Sequence, residues 1–118
     1  MRKEPLEENS HKPLELIKEK FEQILNSKKP VVVEFYLAKC PKCFIEMSLY
    51  EMLAERYDDR IVFGRFNILN STDNKRVAYR YHVLSVPTYA IFKNGKLLDR
   101  LVNPSIEDLK KLIMSTIN

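Results

Sequence analysis

The residues of this chain best suited to chemistry are its two cysteines, Cys40 and Cys43, which enclose Pro41 and Lys42. They follow an apolar run and precede a helical pattern, so Cys40 is predicted to cap a helix and Cys43 to lie in its first turn. Two Cα atoms at that spacing are within disulfide reach. The helix dipole and the neighbouring Lys42 both favour the thiolate form of Cys40, which is a nucleophile at neutral pH.

The same C-x-x-C spacing also supplies half of a tetrahedral zinc site. Zinc would need two further ligands, and the sequence offers only His11 and His82, so no metal site is expected. A purely structural disulfide is a second alternative, but closing so short a loop stabilises a fold little. A redox-active cysteine pair is therefore the favoured interpretation.

The composition argues against several classes of function. The 20 Lys and Arg residues outnumber the 16 Asp and Glu residues, but the two signs are mixed along the chain, unlike a nucleic-acid-binding surface. No apolar run is long enough to cross a bilayer, and the charged N-terminus lacks the apolar stretch of a secretory signal. We therefore expect a cytoplasmic monomer that binds neither nucleic acid nor a membrane.

The periodicity of apolar residues divides the chain into a leader and one domain. Residues 1–12 show no periodicity and are predicted to be a flexible leader, and residues 13–118 are predicted to form the domain. Helices are predicted over 13–27, from Cys40 to about residue 57, over 72–81 and from Ser105 onward. Strands are predicted over 31–37, 61–67, 88–93 and 96–102. The second helix is predicted to bury Ile45, Leu49, Met52, Leu53 and Tyr57.

This order of elements predicts an α/β fold. Strands separated by helices should be parallel, and the last two strands should form an antiparallel hairpin with a type I′ turn at Asn94-Gly95. The result is a mixed four-stranded sheet with helices on both faces, and a short extra N-terminal strand is left open. The cysteines then lie at the carboxyl end of a central strand, where α/β sheets bind ligands.

Three segments carry a more specific pattern: Val33-Glu34-Phe35-Tyr36 before the cysteines, Ser85-Val86-Pro87-Thr88-Tyr89, and Phe92-Lys93-Asn94-Gly95. Together they resemble the strand before the redox motif, the cis-proline loop and the terminal hairpin of the thioredoxin family. The resemblance covers roughly residues 13–117 and implies a thioredoxin-like fold. It also implies that Cys40 attacks the substrate, that Cys43 is the buried resolving cysteine, and that Pro87 is a cis-proline facing the disulfide.

Several residues around the motif depart from the family pattern. Pro41 and Lys42 replace the usual Gly-Pro dipeptide, and Lys39 replaces an aromatic residue, which makes the docking surface more basic. Asn103 replaces a glycine that commonly lines the substrate groove, and the backbone of Val86 is expected to pair with an extended substrate segment. We therefore expect these five residues to contact the substrate.

Glu34 aligns with the buried aspartate of the family. Because a carboxylate in an apolar strand is costly to ionise, we expect its pKa to rise, so that it could accept the proton of Cys43. The alternative is that Glu34 reaches a lysine or solvent at the edge of the sheet. Arg65 resembles by position a family lysine near this carboxylate and is expected to stabilise its charged form.

The favoured function is that of a protein-disulfide reductase. Cys40 would attack a substrate disulfide, and Cys43 would resolve the mixed disulfide without a metal or organic cofactor. The expected partners are disulfide-containing proteins and an electron donor similar to thioredoxin reductase. Two alternatives stay open, a redox-inactive adaptor that docks an extended peptide and a glutaredoxin-like or oxidase-like exchanger.

Overall fold

The structure is a computed structural model that describes residues 12–117, so the predicted leader lies outside it except for Lys12. The elements are β1 (Leu14–Glu15), α1 (Lys18–Ile24), β2 (Val31–Tyr36), α2 (Pro41–Tyr57), β3 (Val62–Asn67), α3 (Thr72–Arg80), β4 (Thr88–Lys93), β5 (Lys96–Val102) and α4 (Ile106–Ile117). Within the described chain, five strands form one sheet in the order β1-β3-β2-β4-β5. Strands β1, β3 and β2 are parallel, whereas β4 and β5 are antiparallel to their neighbours. The predicted mixed α/β sheet is confirmed, and the extra N-terminal strand is present as β1.

The start of the domain differs from the helix predicted over 13–27. Strand β1 pairs with β3 from Leu14 onward, and α1 begins only after Ile17. The next residue after β1, Leu16, is buried against Gly64 of β3, where an added Cβ would lie 2.6 Å from the Leu16 Cδ1. Strand pairing and burial of Leu16 therefore outweigh the helical spacing of Leu14 and Ile17, both of which are exposed.

The central strand β2 directs its side chains alternately into two apolar cores. Val31, Val33 and Phe35 pack on the face of the sheet that is covered by α1 and α3. Val32 packs on the opposite face with residues of α2 and α4. Because Glu34 lies two residues after Val32, its carboxyl group faces the same side as the cysteine-bearing helix α2.

Helix α2 buries a different face from the one predicted. Of the five residues expected in the core, Leu53 and Tyr57 are buried, but Ile45, Leu49 and Met52 are exposed. The helix is rotated so that Tyr50 faces the sheet, where its hydroxyl donates to the carbonyl oxygen of Gly64 at 2.8 Å and lies 3.2 Å from that of Val32. These contacts fix α2 to β2 and β3.

No helix in the described part of the chain is long and apolar enough to span a bilayer.

The hairpin of β4 and β5 turns at the predicted dipeptide. Asn94 has φ 56° and Gly95 has φ 79°. A type I′ turn requires positive φ at both of its central residues, so the predicted turn is confirmed. Strand β4 also pairs antiparallel with β2, in a register that places Tyr89 opposite Glu34.

Candidate functional site

The two cysteines form a disulfide at the start of α2. Their Cα atoms are 5.2 Å apart, and the backbone N–H of Cys43 donates to the Sγ of Cys40 at 3.1 Å. Cys40 is the N-cap of the helix, and Pro41 begins it, a position where the missing N–H costs nothing. Cys43 is 1% exposed, whereas Cys40 is half-buried. An external reagent therefore reaches Cys40 first, at the end of the helix that favours a thiolate.

We expect alkylation of the reduced protein to label Cys40 before Cys43. Its sulfur is more accessible, and the N-cap position should hold the pKa of the Cys40 thiol below the ordinary value of about 8.5. Limiting iodoacetamide at neutral pH, followed by peptide mass spectrometry, measures the labelling at each position. Equal labelling of both thiols would contradict the assignment of Cys40 as the attacking group.

Glu34 is buried on the central strand and pairs with Arg65. The Nε of Arg65 donates to the Glu34 Oε1 at 2.9 Å, and the two residues are in register on neighbouring strands. Burial raises the pKa of Glu34, although the hydrogen bond and charge of Arg65 act against that rise. The alternative of a carboxylate reaching solvent at the edge of the sheet is therefore wrong.

Arg65 is itself held by groups beyond Glu34. Its guanidinium lies over the ring of Tyr36 at 3.9 Å from the ring centre, and its Nη1 is 3.8 Å from a carboxylate oxygen of Glu15. The Tyr36 hydroxyl also donates to Glu15. Strand β1, which the sequence left open, therefore supplies part of the support for the buried ion pair.

Tyr89 and Glu46 also belong to this site, and the sequence did not single them out. The Tyr89 hydroxyl lies 3.3 Å from the Glu34 Oε2 and 3.4 Å from the Glu46 Oε1. The helical spacing of Glu46, three residues after Cys43 and four after Lys42, is a signal that could have found it. Tyr89 is recognisable only once β4 is placed beside β2, because the register then sets it directly opposite Glu34.

The end of β5 lies beside the redox motif and is hydrogen-bonded to the loop before β4. The Val86–Pro87 peptide bond is cis, and the Pro87 carbonyl accepts a hydrogen bond from the backbone N–H of Asn103 at 2.8 Å. The Lys42 Nζ lies 3.4 Å from the carbonyl oxygen of Asn103 and 3.3 Å from that of Pro104. The structure thus connects Lys42 and Asn103 of the predicted substrate-binding set with the cis-proline Pro87.

The remaining predicted contact residues lie at the surface. Pro41 and Lys39 are exposed, and Val86 is half-buried. Lys39 lines a surface cavity of about 260 Å³ together with Leu37, Ala38, Asn67, Leu69 and Asn70. This cavity extends the surface around the motif toward the loop that follows β3.

No metal centre is assembled in the part of the chain that the structure describes. Among residues 12–117, no three His, Cys, Asp or Glu side chains are placed to hold an ion together. His82 is exposed after α3, with a left-handed φ of 59°. His11, the other histidine considered as a ligand, lies outside the described residues.

A family model described as Thioredoxin matches residues 12–115. The thioredoxin of Buchnera aphidicola subsp. Acyrthosiphon pisum (strain APS) is 32% identical over 110 residues, which cover 92% of this chain and 99% of the relative. Spinach chloroplast thioredoxin f (long form) has a TM-score of 0.84 at 26% identity, covering 98% of this chain and 94% of that chain. Thioredoxin f2, solved in complex with ferredoxin:thioredoxin reductase, has a TM-score of 0.81 at 28% identity, with 91% and 96% covered. The matched segment contains the Cys40–Cys43 disulfide and the sheet that positions it, and the chain belongs to the thioredoxin family of protein-disulfide oxidoreductases.

Proposed function

We propose that this oxidoreductase works as a protein-disulfide reductase in which Cys40 attacks and Cys43 resolves. The difference in exposure between the two sulfurs carries the assignment, because a protein substrate can reach the half-buried Cys40 but not the buried Cys43. The N-cap position of Cys40 also places its sulfur at the positive end of the helix dipole, which favours the thiolate. Glu34 is the proposed acceptor of the Cys43 proton.

The proposed reaction has two exchange steps. In the first, the Cys40 thiolate forms a bond to one substrate sulfur, and the other substrate sulfur leaves as a thiolate. In the second, Cys43 loses its proton and bonds to the Cys40 Sγ, which breaks the mixed disulfide and releases the second substrate thiolate. The substrate gains two electrons, and the protein ends as the disulfide seen in the structure.

The substrate segment is proposed to lie along the cis-proline loop. The backbone of Val86 would pair with it, and Pro87 and Asn103 would form its walls, with Lys39 and Pro41 at the exposed rim. Lys42 is proposed to have a positioning role in addition to the direct substrate contact expected from the sequence. Its ammonium group is held by the carbonyl oxygens of Asn103 and Pro104, and it therefore positions the loop that lines the groove.

The proposed partners are disulfide-containing proteins and a reductase that regenerates the dithiol. The similarity to thioredoxin f2, which is solved in complex with ferredoxin:thioredoxin reductase, supports a reductase partner in general. We propose a donor similar to thioredoxin reductase. No organic cofactor is needed in this chain, because both exchange steps use only sulfur and protons.

The reductase proposal is tested by insulin reduction together with the redox potential. With dithiothreitol as electron donor, the protein should accelerate insulin precipitation, and Cys40→Ser should not. Equilibration in glutathione buffers should give a potential between about −270 and −200 mV, the range of thioredoxins and glutaredoxins. A potential near the −120 mV of a strong oxidant would instead indicate an oxidase. Precipitation no faster than in buffer would favour the adaptor.

A further inference from the structure

The Tyr89 hydroxyl connects the buried Glu34 carboxyl group to the helix that carries the cysteines. It lies 3.3 Å from the Glu34 Oε2 and 3.4 Å from the Glu46 Oε1. Glu34 is fully buried, whereas the side chain of Glu46, one turn after Cys43, is 12% exposed. A line of polar groups therefore leads from Glu34 through Tyr89 to a carboxylate that reaches the surface.

The number of protons in this cluster limits its hydrogen bonds. A phenol donates one proton, and an ionised carboxylate only accepts, so Tyr89 donates to one carboxylate at a time. Its second contact becomes a hydrogen bond only when the other carboxyl group is protonated and donates to the phenol oxygen. Both distances lie beyond the usual 2.5–3.0 Å of an O–H···O bond. One more proton on either carboxyl group would allow both contacts to become hydrogen bonds.

We propose that Tyr89 and Glu46 are positioning residues of the resolving step, in which they take over the proton that Glu34 accepts from Cys43. This inference rests on the proposed function, because it requires Cys43 to attack Cys40. The Sγ–H bond of Cys43 breaks, its proton goes to Glu34, and the thiolate electron pair forms the bond to Cys40. Glu34 then passes a proton to the Tyr89 oxygen while the Tyr89 proton moves to Glu46, which leaves the phenol neutral.

Charged and titratable groups from every neighbouring element surround this cluster. They are Arg65 from β3, Tyr50 and Lys42 from α2 and, behind Arg65, Glu15 from β1 and Tyr36 from β2. The hydrogen bond from Tyr89 lowers the pKa of Glu34, whereas the negative charge of Glu46 raises it. Removing the Tyr89 hydroxyl should therefore raise the pKa of Glu34, and removing the negative charge of Glu46 should lower it.

The resolving step can be isolated with 5,5′-dithiobis(2-nitrobenzoate) as the substrate in a stopped-flow instrument. Reduced protein releases one thionitrobenzoate when Cys40 is captured and a second when Cys43 displaces the reagent from Cys40. Only the second phase is independent of reagent concentration. The rate of this second phase should rise with pH as Glu34 ionises. We expect the pH midpoint of that rise to move up in Tyr89→Phe and down in Glu46→Gln, each by about half a pH unit or more.

Two control variants keep the test specific. Tyr50→Phe removes another buried hydroxyl of the helix–sheet interface, one whose neighbours are main-chain carbonyl oxygens. Glu55→Gln removes a negative charge nine residues beyond Glu46, about 14 Å along α2. Both controls should keep the wild-type midpoint. Carbon-13 shifts of the Glu34 carboxyl group give the same midpoint independently of the kinetics.

The outcomes separate this inference from the proposed function. Unchanged midpoints in Tyr89→Phe and Glu46→Gln, or shifts in the same direction, would overturn the inference while leaving the two-step exchange intact. Release of a single thionitrobenzoate by the wild-type protein would overturn the proposed function itself, because Cys43 would then fail to resolve the adduct.

Discussion

Replacing Cys43 with serine should stop turnover and leave the substrate covalently bound to Cys40. Serine has nearly the size of cysteine, but its hydroxyl group does not ionise near neutral pH and does not displace a substrate thiolate. The first exchange step needs only Cys40, so the mixed disulfide should accumulate to one adduct per protein. Non-reducing electrophoresis and intact-protein mass spectrometry with a disulfide-containing protein substrate measure the adduct.

The matched variant is Cys40→Ser, which keeps Cys43 as the only thiol in the chain. The Cys43 sulfur is buried beneath the first turn of α2, so this variant should form little adduct with a folded protein substrate. Similar adduct yields from both variants would show that either sulfur can attack. The ordered mechanism would then be wrong.

The cysteine pair could be predicted because a local pattern determines it, whereas the Glu34–Arg65 contact was expected from the family resemblance. The C-x-x-C motif lies where a strand pattern changes to a helical pattern, and this change alone puts Cys40 at an N-cap. Glu34 interrupts an apolar strand, and such a carboxylate needs a cation nearby. Parallel pairing of β2 with β3 supplies Arg65 in register, at an Nε–Oε1 distance of 2.9 Å.

Features that depend on distant contacts could not be predicted in the same way. A strand of two residues, as in β1, has no periodicity of its own, and it forms because Gly64 lets Leu16 approach β3 closely. Apolar spacing also failed for α2, since Ile45 and Met52 are apolar but exposed. Periodicity shows which residues share a helix face, but it does not show whether that face is covered.

The contact between Tyr89 and the two carboxyl groups depends both on a local sequence pattern and on the pairing of distant strands. Glu46 follows from helical spacing after Cys43, but Tyr89 requires the register of β4 against β2. In the sequence, Tyr89 lies in a buried strand pattern, where an aromatic residue is expected simply to fill the core. The chemical surroundings of its hydroxyl group become apparent only when β2, β4 and α2 are brought together.

Arg65→Met should be the most destabilising substitution at the buried ion pair. It leaves the Glu34 carboxylate buried without its cation, and breaking such a pair costs about 3–5 kcal/mol of the free energy of unfolding at neutral pH. Methionine keeps most of the side-chain volume over the Tyr36 ring. Urea unfolding of the disulfide form at pH 7.5 measures the loss, with Arg60→Met as the control because Arg60 is an exposed arginine.

The destabilisation caused by Arg65→Met should shrink in acid. The pKa of Glu34 in the folded protein is already raised above its ordinary value of 4.5, so the stability that comes from protonating it is lost as the pH rises through the folded pKa. Removing Arg65 raises that pKa further, which deepens the loss at pH 7.5 but adds little at an acid pH below the folded pKa, where Glu34 binds a proton. The double variant Glu34→Leu/Arg65→Met should recover most of the stability at pH 7.5, because it buries no charge at either position. A loss of equal size at both pH values, or a double variant as unstable as Arg65→Met, would show that Arg65 stabilises the fold by packing and not by neutralising Glu34.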